Sequence, residues 1–266
     1  MTATVGDYAE HYETIGVEIG EGVAVVMVDR SEVRNAINDQ VQAELHDVLA
    51  SVRERDDVGA VIITGAGTRT FAAGADIAQL RDRNLHAGLA AGMQHLYDEL
   101  EAFDKPTIAA VDGAVRAGGM TIAISCDMII AGEAATFGYP EIDVGLIPAL
   151  HFVQLPRLVG KHQAFGPLFL GEPFDAATAF RMGLVSEVVA KGTALERARI
   201  IGRRFAEKSP IVMKIGRDAF MRAVDADYRR AIEHAAESFA LVATTQDCQE
   251  GLDAFVEKRA PKYTGR

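Results

Sequence analysis

The apolar positions of this chain follow two regimes. In the first, short apolar runs alternate with helical periodicity. Val17–Ile19 and Gly22–Val28 flank a glycine-rich turn and read as a β-hairpin. Asp39 with Gln42 makes a capping-box pair, and Val41, Leu45, Val48, Leu49 and Val52 behind it share one helical face. Ala60–Thr64 has the unbroken apolar character of a buried strand. The pattern then predicts a helix over Leu85–Phe103, stopped before Pro106, and strands at Thr107–Val111 and Met128–Ala131 around a short helix at Gly118–Ser125. This alternation of ββα and βα units predicts an α/β core, with no internal sequence repeat.

From about Thr193 the second regime is helical throughout. Thr193 with Glu196, Ser209 before Pro210, and Asp247 with Glu250 mark three helix starts. Ile211, Ile215, Phe220, Ile232, Phe239 and Phe255 supply the apolar positions of successive helices. The chain therefore divides into a core over 1–192 and a helical region over 193–266 that packs on its own domain or on a neighbouring subunit.

Composition narrows the function. Twenty-seven Lys and Arg against 38 Asp and Glu leave a net charge of −11, which disfavours nucleic acid and anionic membranes as partners. Cys126 and Cys248 lack CxxC spacing, so two buried free thiols in a reducing cytoplasm are expected. The first residues, through Glu13, show no basic segment followed by an apolar one, and no apolar run approaches the roughly 18 residues of a membrane span. The seven histidines are scattered, with His86 and His95 nine apart, and no metal-binding pattern emerges. Gly65-Ala66-Gly67 follows an apolar run like a dinucleotide fingerprint, but Thr70 occupies the third glycine's place.

Three segments carry candidate chemistry. Phe71-Ala72-Ala73-Gly74-Ala75-Asp76-Ile77 is a small-residue loop leading from a predicted strand into a predicted helix, and Gly113–Gly119 is a second glycine turn opening a helix. Such loops are either tight turns against the core or sources of free backbone N–H groups; two donors converging on one oxygen make an oxyanion hole. In Phe137–Pro148, Glu141 sits among apolar residues, either facing solvent or desolvated with a raised pKa.

In combination and order, these segments resemble the crotonase family, also called the enoyl-CoA hydratase/isomerase family. The resemblance runs from Val23–Asn38 to the closing Ala254-Phe255-Val256-Glu257-Lys258-Arg259-Ala260-Pro261-Lys262. It implies an α/β fold, a crotonase-like spiral of ββα units with a C-terminal all-helical trimerisation region, assembled as homotrimers or homohexamers in the cytoplasm. The implied partner is an acyl-CoA thioester, with coenzyme A part of the substrate and neither separate cofactor nor metal. The resemblance assigns the oxyanion donors to the Ala75 and Gly118 N–H groups and the acid/base carboxylate to Glu141.

The chain departs from the two-glutamate hydratase pattern at Thr121, three residues after Gly118, where the first glutamate is expected. A threonine orients water but is no carboxylate base. One remaining glutamate implies Δ3,Δ2-enoyl-CoA isomerisation; the alternatives are an enoyl-CoA hydratase of reduced efficiency or a non-catalytic acyl-CoA-binding member. Residues 146–150, Leu-Ile-Pro-Ala-Leu, lack the acid of the hydrolytic branches. His151 reads as a second acid/base group or as a structural or solvent-facing histidine, Arg116 as a substrate-carboxylate ligand or as a salt-bridge or surface residue, and Tyr139 as packing. The resemblance places CoA contacts at Ala73, Asp76, Arg34, Lys258 and Arg259, with Lys262 a further candidate. Arg30 and Asn35 keep the family pattern, while Ser31-Glu32 replaces a common Pro-Lys.

Overall fold

The computed structural model describes residues 12–76, 79 and 86–266. The leader expectation for residues 1–11 and the readings of Ile77 and Leu85 lie outside them. The strands are β1 (Ile15–Gly20), β2 (Val23–Val28), β3 (Ala60–Gly65), β4 (Thr70–Ala72), β5 (Thr107–Val111), β6 (Ala114–Arg116), β7 (Met128–Gly132), β8 (Thr136–Gly138), β9 (Phe174–Asp175) and β10 (Glu187–Val189). The helices are α1 (Asp39–Arg53), α2 (His86–Glu101), α3 (Gly118–Ser125), α4 (His151–Val159), α5 (Lys161–Leu170), α6 (Ala176–Arg181), α7 (Ala194–Ala206), α8 (Pro210–Asp225), α9 (Tyr228–Ala243) and α10 (Gln246–Glu257).

From β3 to β8 consecutive strands alternate between two sheets, which winds the chain into a spiral. One sheet runs β1-β2-β3-β5-β7-β10 and the other β4-β6-β8-β9. The hairpin β1–β2 is antiparallel, and from β2 onward every neighbour in the large sheet is parallel. Each turn of the spiral, β3 to β4, β5 to β6, β7 to β8, leaves one strand in each sheet. The central strands are apolar at nearly every position because both faces of the sheet are covered.

On one face, Val41, Leu45, Val48, Leu49 and Val52 of α1 join Leu96 and Leu100 of α2 and Met120 and Ile122 of α3 in a single core. On the other face, Ala194 and Ala198 of α7 pack on Val23, Val25, Ile62, Ile108 and Ile130. The division at 192/193 thus follows secondary structure, whereas packing puts α7 with the sheet. Beyond α7 the helices expose large apolar side chains, among them Phe220, Tyr228, Phe239 and Phe255, the last 84% accessible. Both cysteines are free; Cys126 is buried and Cys248 half-buried. No helix of the described residues is long and apolar enough to cross a membrane.

Three of the expected helix caps differ. Asn38, one residue before Asp39, caps α1: its Oδ1 accepts the Val41 N–H at 2.9 Å. The Thr193 hydroxyl instead donates to the Ala190 carbonyl, and the N-terminus of α7 is served by Asp112, whose carboxylate accepts the Gly192 and Ala194 N–H groups at 2.8 and 3.1 Å. Thr245, not Asp247, caps α10. Asp247 is buried and accepts from the Ser209 hydroxyl and from the Thr264 and Gly265 N–H groups, pinning the chain's end to the start of α8.

Arg217 of α8 locks the helical region to the core. Its Nε donates to both Asp127 oxygens at 3.1 and 2.9 Å, and its terminal nitrogens donate to the carbonyls of Leu100, Glu101 and Phe103. The guanidinium thereby closes the C-terminal end of α2, where unpaired carbonyls favour a cation. Arg217 is buried while Asp127 is partly exposed, so losing the guanidinium chiefly leaves the Leu100, Glu101 and Phe103 carbonyls without their donor, at about 1–3 kcal/mol. Arg217→Met is expected to lower unfolding stability in urea by about that amount. Arg222→Met, which breaks the exposed pair with Asp218, should stay within about 0.5 kcal/mol of the parent.

Candidate active site

The site begins with two backbone turns at the ends of neighbouring strands. β4 and β6 are parallel, with Thr70 opposite Ala114, so the loops leaving them emerge side by side. The first loop is held to the segment before α1: Ile37 N–H donates to the Gly74 carbonyl at 2.8 Å and Asp76 N–H to the Ile37 carbonyl at 2.9 Å. Because alternate residues of an extended segment point opposite ways, the Ala75 N–H between them faces away from Ile37. In the second loop Ala117 takes φ +47° and ψ −115°, a conformation costly for a residue with a Cβ, and Gly118 opens α3. A helix start leaves its first N–H groups without intrahelical partners.

The two turns touch. Gly74 has φ +93°, and a Cβ there would stand 2.8 Å from the Ala117 Cβ and 3.5 Å from the Gly118 nitrogen. Only glycine allows that approach. Around Gly118, Ile37 Cδ1 and the Met93 thioether of α2 lie 3.5 and 3.6 Å from where a Cβ would project. The site's wall is therefore apolar.

Glu141 lies in the 3₁₀ turn Pro140–Val144 after β8. Its Oε2 is buried and has no hydrogen-bond partner among the described residues. Burial pushes the carboxyl up from 4.5 to about 7, opposed only by a backbone hydrogen bond. Thr121, in the second turn of α3, and His151, the first residue of α4, are both buried, and Thr121 Oγ1 meets His151 Nε2 at 3.1 Å. Burial also pulls His151 down from 6.5 to about 4, so the imidazole is neutral at physiological pH. Tyr139 packs on it with ring centroids 4.8 Å apart. The Tyr139 hydroxyl and His151 Nδ1 are, like Glu141 Oε2, buried without partners among the described residues. Orphaned buried polar atoms gathered in one place are a mark of function more than of stability. The burial of His151 excludes its solvent-facing reading; Glu141 is half-buried, with its Oε2 turned away from solvent.

Of the remaining predicted residues, the structure brings Arg34, Ala73 and Asp76 to one loop cluster. Ala73 N–H donates to the Arg34 carbonyl at 3.2 Å. Asp76 braces that cluster, with its carboxylate 3.1 Å from Arg30 Nη1. Asn35, buried, donates to the Ala66 and Thr70 carbonyls and accepts the Arg30 N–H. Lys258 and Arg259 lie at the end of α10, and their described bonds stay within the C-terminal helices; Glu250 and Glu257 hold the Arg259 guanidinium. Arg116 is half-buried and donates to the Val115 and Thr136 carbonyls and the Thr136 hydroxyl, so neither a salt bridge nor an exposed position describes it. Sequence reasoning missed one cluster outright: His46, His95 and Glu99 converge from α1 and α2, with ligating atoms within 4.8 Å of one another.

Residues 18–266 match the family described as enoyl-CoA hydratase/isomerase. The chain is 36% identical over 256 residues to a probable enoyl-CoA hydratase of Mycobacterium tuberculosis, covering 96% of this chain and 99% of that one. It is 35% identical over 258 residues to the crotonyl-CoA hydratase of Syntrophomonas wolfei, again covering 96% and 99%. The crystal structure of an enoyl-CoA hydratase from Bacillus anthracis superposes with a TM-score of 0.92 at 29% identity, covering 96% of this chain and all of that one. With the ββα spiral, the paired turns and the desolvated Glu141 already in place, these likenesses fix its membership: the chain belongs to the enoyl-CoA hydratase/isomerase family, with the crotonase fold.

Proposed function

We propose that the protein hydrates a 2-enoyl-CoA thioester, using Glu141 as its single carboxylate acid/base. The observation that carries this reading is the half-buried Glu141, whose Oε2 is buried without a partner among the described residues, in a chain whose relatives are named hydratases. The thioester oxygen accepts the Ala75 and Gly118 N–H groups. Glu141 takes a proton from water as the water oxygen bonds to C3, and the C2–C3 π electrons move toward the thioester oxygen as an enolate. The same carboxyl then returns the proton to C2, so the net change is addition of one water. The two N–H donors meet the charge that develops, and losing one such donor typically costs about 3–4 kcal/mol of barrier.

Thr121 and His151 take over part of what a second carboxylate does elsewhere. Water attacking C3 gives one proton to Glu141 and needs an acceptor for its other O–H. The Thr121 oxygen serves if its own proton is donated to neutral His151 Nε2, leaving the imidazole as the Nδ1–H tautomer. His151 is thus a positioning residue acting through Thr121. The CoA end of the substrate runs along Arg34 and Ala73, and the exposed apolar faces of α8 to α10 assemble the chain into a trimer or hexamer.

Double-bond isomerisation, the expectation from a lone glutamate, is the second reading. Thr121 favours it, since moving a proton from C2 to C4 needs only one carboxylate; the relatives' names favour hydration. A panel of 2-enoyl- and 3-enoyl-CoA substrates in ¹⁸O-labelled water decides between them. Uptake of one labelled oxygen by the 2-enoyl substrate is expected, and interconversion of the isomers without it would overturn hydration. Equal turnover by Glu141→Ala and the parent would overturn a catalytic role altogether.

Because Glu141 must be ionised to accept the water's proton, kcat/KM should rise with pH through about 7. Glu141→Gln should lose that limb together with about 10²–10⁴-fold of the rate. It should also change stability. A carboxyl raised from 4.5 to about 7 binds a proton in the folded chain that the unfolded chain releases, so its stabilisation is full below 4.5 and lost as pH rises through 7. Glu141→Gln, always neutral, is therefore expected to unfold at a higher temperature than the parent at pH 8 and at a similar one at pH 4.

Thr121→Val keeps the side chain's shape and removes its hydroxyl. Hydration should fall by about an order of magnitude with little change in KM, and Thr121→Ser should restore it. Unchanged hydration in Thr121→Val would show that neither Thr121 nor His151 holds the water.

A further inference from the structure

We propose that His46, His95 and Glu99 form a binding site for one divalent transition-metal ion of the zinc, cobalt and nickel class. The site is built by two helices and is independent of the acyl-CoA chemistry. His95 and Glu99 are four residues apart on α2 and so share a face; His46 reaches them from α1. His46 Nδ1 stands 3.0 Å from Glu99 Oε2, and the two imidazole rings are 5.1 Å apart at 51°. One ligating atom from each of the three residues falls within 4.8 Å of the others. A tetrahedral zinc ion with bonds of about 2.0–2.1 Å separates its ligand atoms by about 3.3 Å, so side-chain rotation alone closes the remaining distance.

The surroundings suit an ion. All three residues line one cavity of about 360 Å³ together with Asp39, Gln42 and Leu96. The Glu99 side chain is 7% exposed and forms the floor, while His46, 56% exposed, stands at the mouth. A carboxylate kept from water with two imidazoles above it offers one negative and two neutral ligands, leaving a fourth position for water. Two nitrogen donors select against magnesium and calcium, which take oxygen. Gly92 explains why the helices come close enough: a Cβ there would occupy the place of the Gln42 carboxamide. The ion would tie α1 to α2, the helix whose Met93 walls Gly118. A simple His46–Glu99 ion pair is the competing account, and it predicts no metal binding.

The test uses the full chain without a histidine tag, stripped with a chelator and titrated with Zn²⁺ by calorimetry and with Co²⁺ by visible absorption. One ion per chain is expected, with the intense d–d bands of a four-coordinate site and a rise in melting temperature, while Mg²⁺ produces neither. His46→Ala and His95→Ala should each weaken Zn²⁺ binding at least tenfold, and Glu99→Gln should weaken it as well. Since His95 is exposed, metal-free melting of His95→Ala should match the parent, whereas His46→Ala also removes the partner of Glu99 and should melt lower even without metal. Cys248→Ser is expected to bind like the parent. Undiminished binding in the His46→Ala/His95→Ala double variant, loss of binding in Cys248→Ser, or no binding at micromolar Zn²⁺ would each overturn the proposal.

Discussion

Two backbones at the candidate site approach more closely than side chains would permit, and the rest of the arrangement follows from that constraint. Gly74 lies against Ala117 and Gly118 because β4 and β6 are parallel neighbours whose loops leave the sheet at the same end. The spiral is what makes them neighbours, since each turn contributes one short strand to the second sheet. Ala117 accepts an unfavourable positive φ at this point. Strain of that kind costs on the order of 1–3 kcal/mol and persists only where the surroundings enforce it. Here the enforcement is visible: Ala117 N–H is bonded to the Gly138 carbonyl of β8, and the Ala117 carbonyl accepts from Met120. Strand pairing and helix start together hold the peptide that presents the Gly118 N–H.

The same burial sets the protonation states. Neither Glu141 nor His151 is shifted by a neighbouring charge; both are shifted by desolvation, which disfavours the ionised form of each. The carboxyl rises to about 7 and the imidazole falls to about 4, so near neutral pH one changes charge and the other does not. Thr121 fits this economy of charge. A second carboxylate beside Glu141 would add a like charge in a site with no described ion pair, raising one pKa still further. A hydroxyl tied to a neutral imidazole supplies hydrogen bonding without that repulsion.

What could be read from the sequence was local or continuous. The doubly buried strands announced themselves as unbroken apolar runs, and α1 as a periodic face, because a buried position leaves its mark on its own residue. Glu141, Gly118 and Thr121 stood out only through a spacing shared with a family. Caps and clamps were not. Asp112 caps α7 from 82 positions away, and Asp127 meets Arg217 from 90, and neither pairing leaves a periodicity behind. His46 and His95 read as unrelated histidines for the same reason, since only the α1–α2 packing at Gly92 joins them. The boundary at 193 marked a true change in composition, but the sheet needs a cover on its second face and takes α7 for it.

Charge shows the limit of composition most clearly. A net −11 disfavours nucleic acid and anionic membranes, and the resemblance places basic residues near the C-terminus against the CoA part of the substrate. Yet Arg259 is held by Glu250 and Glu257, Arg30 by Asp76 and Arg217 by Asp127, so these cations already serve the protein's own carboxylates. Arg34 differs: it is exposed, at a left-handed corner bonded to Ala73. On the proposed function, the thioester oxygen is met by oriented backbone N–H groups and not by these paired side chains. Backbone donors keep their direction regardless of net charge, which is why an acidic protein can hold an anion where its turns, and not its side chains, are correctly placed.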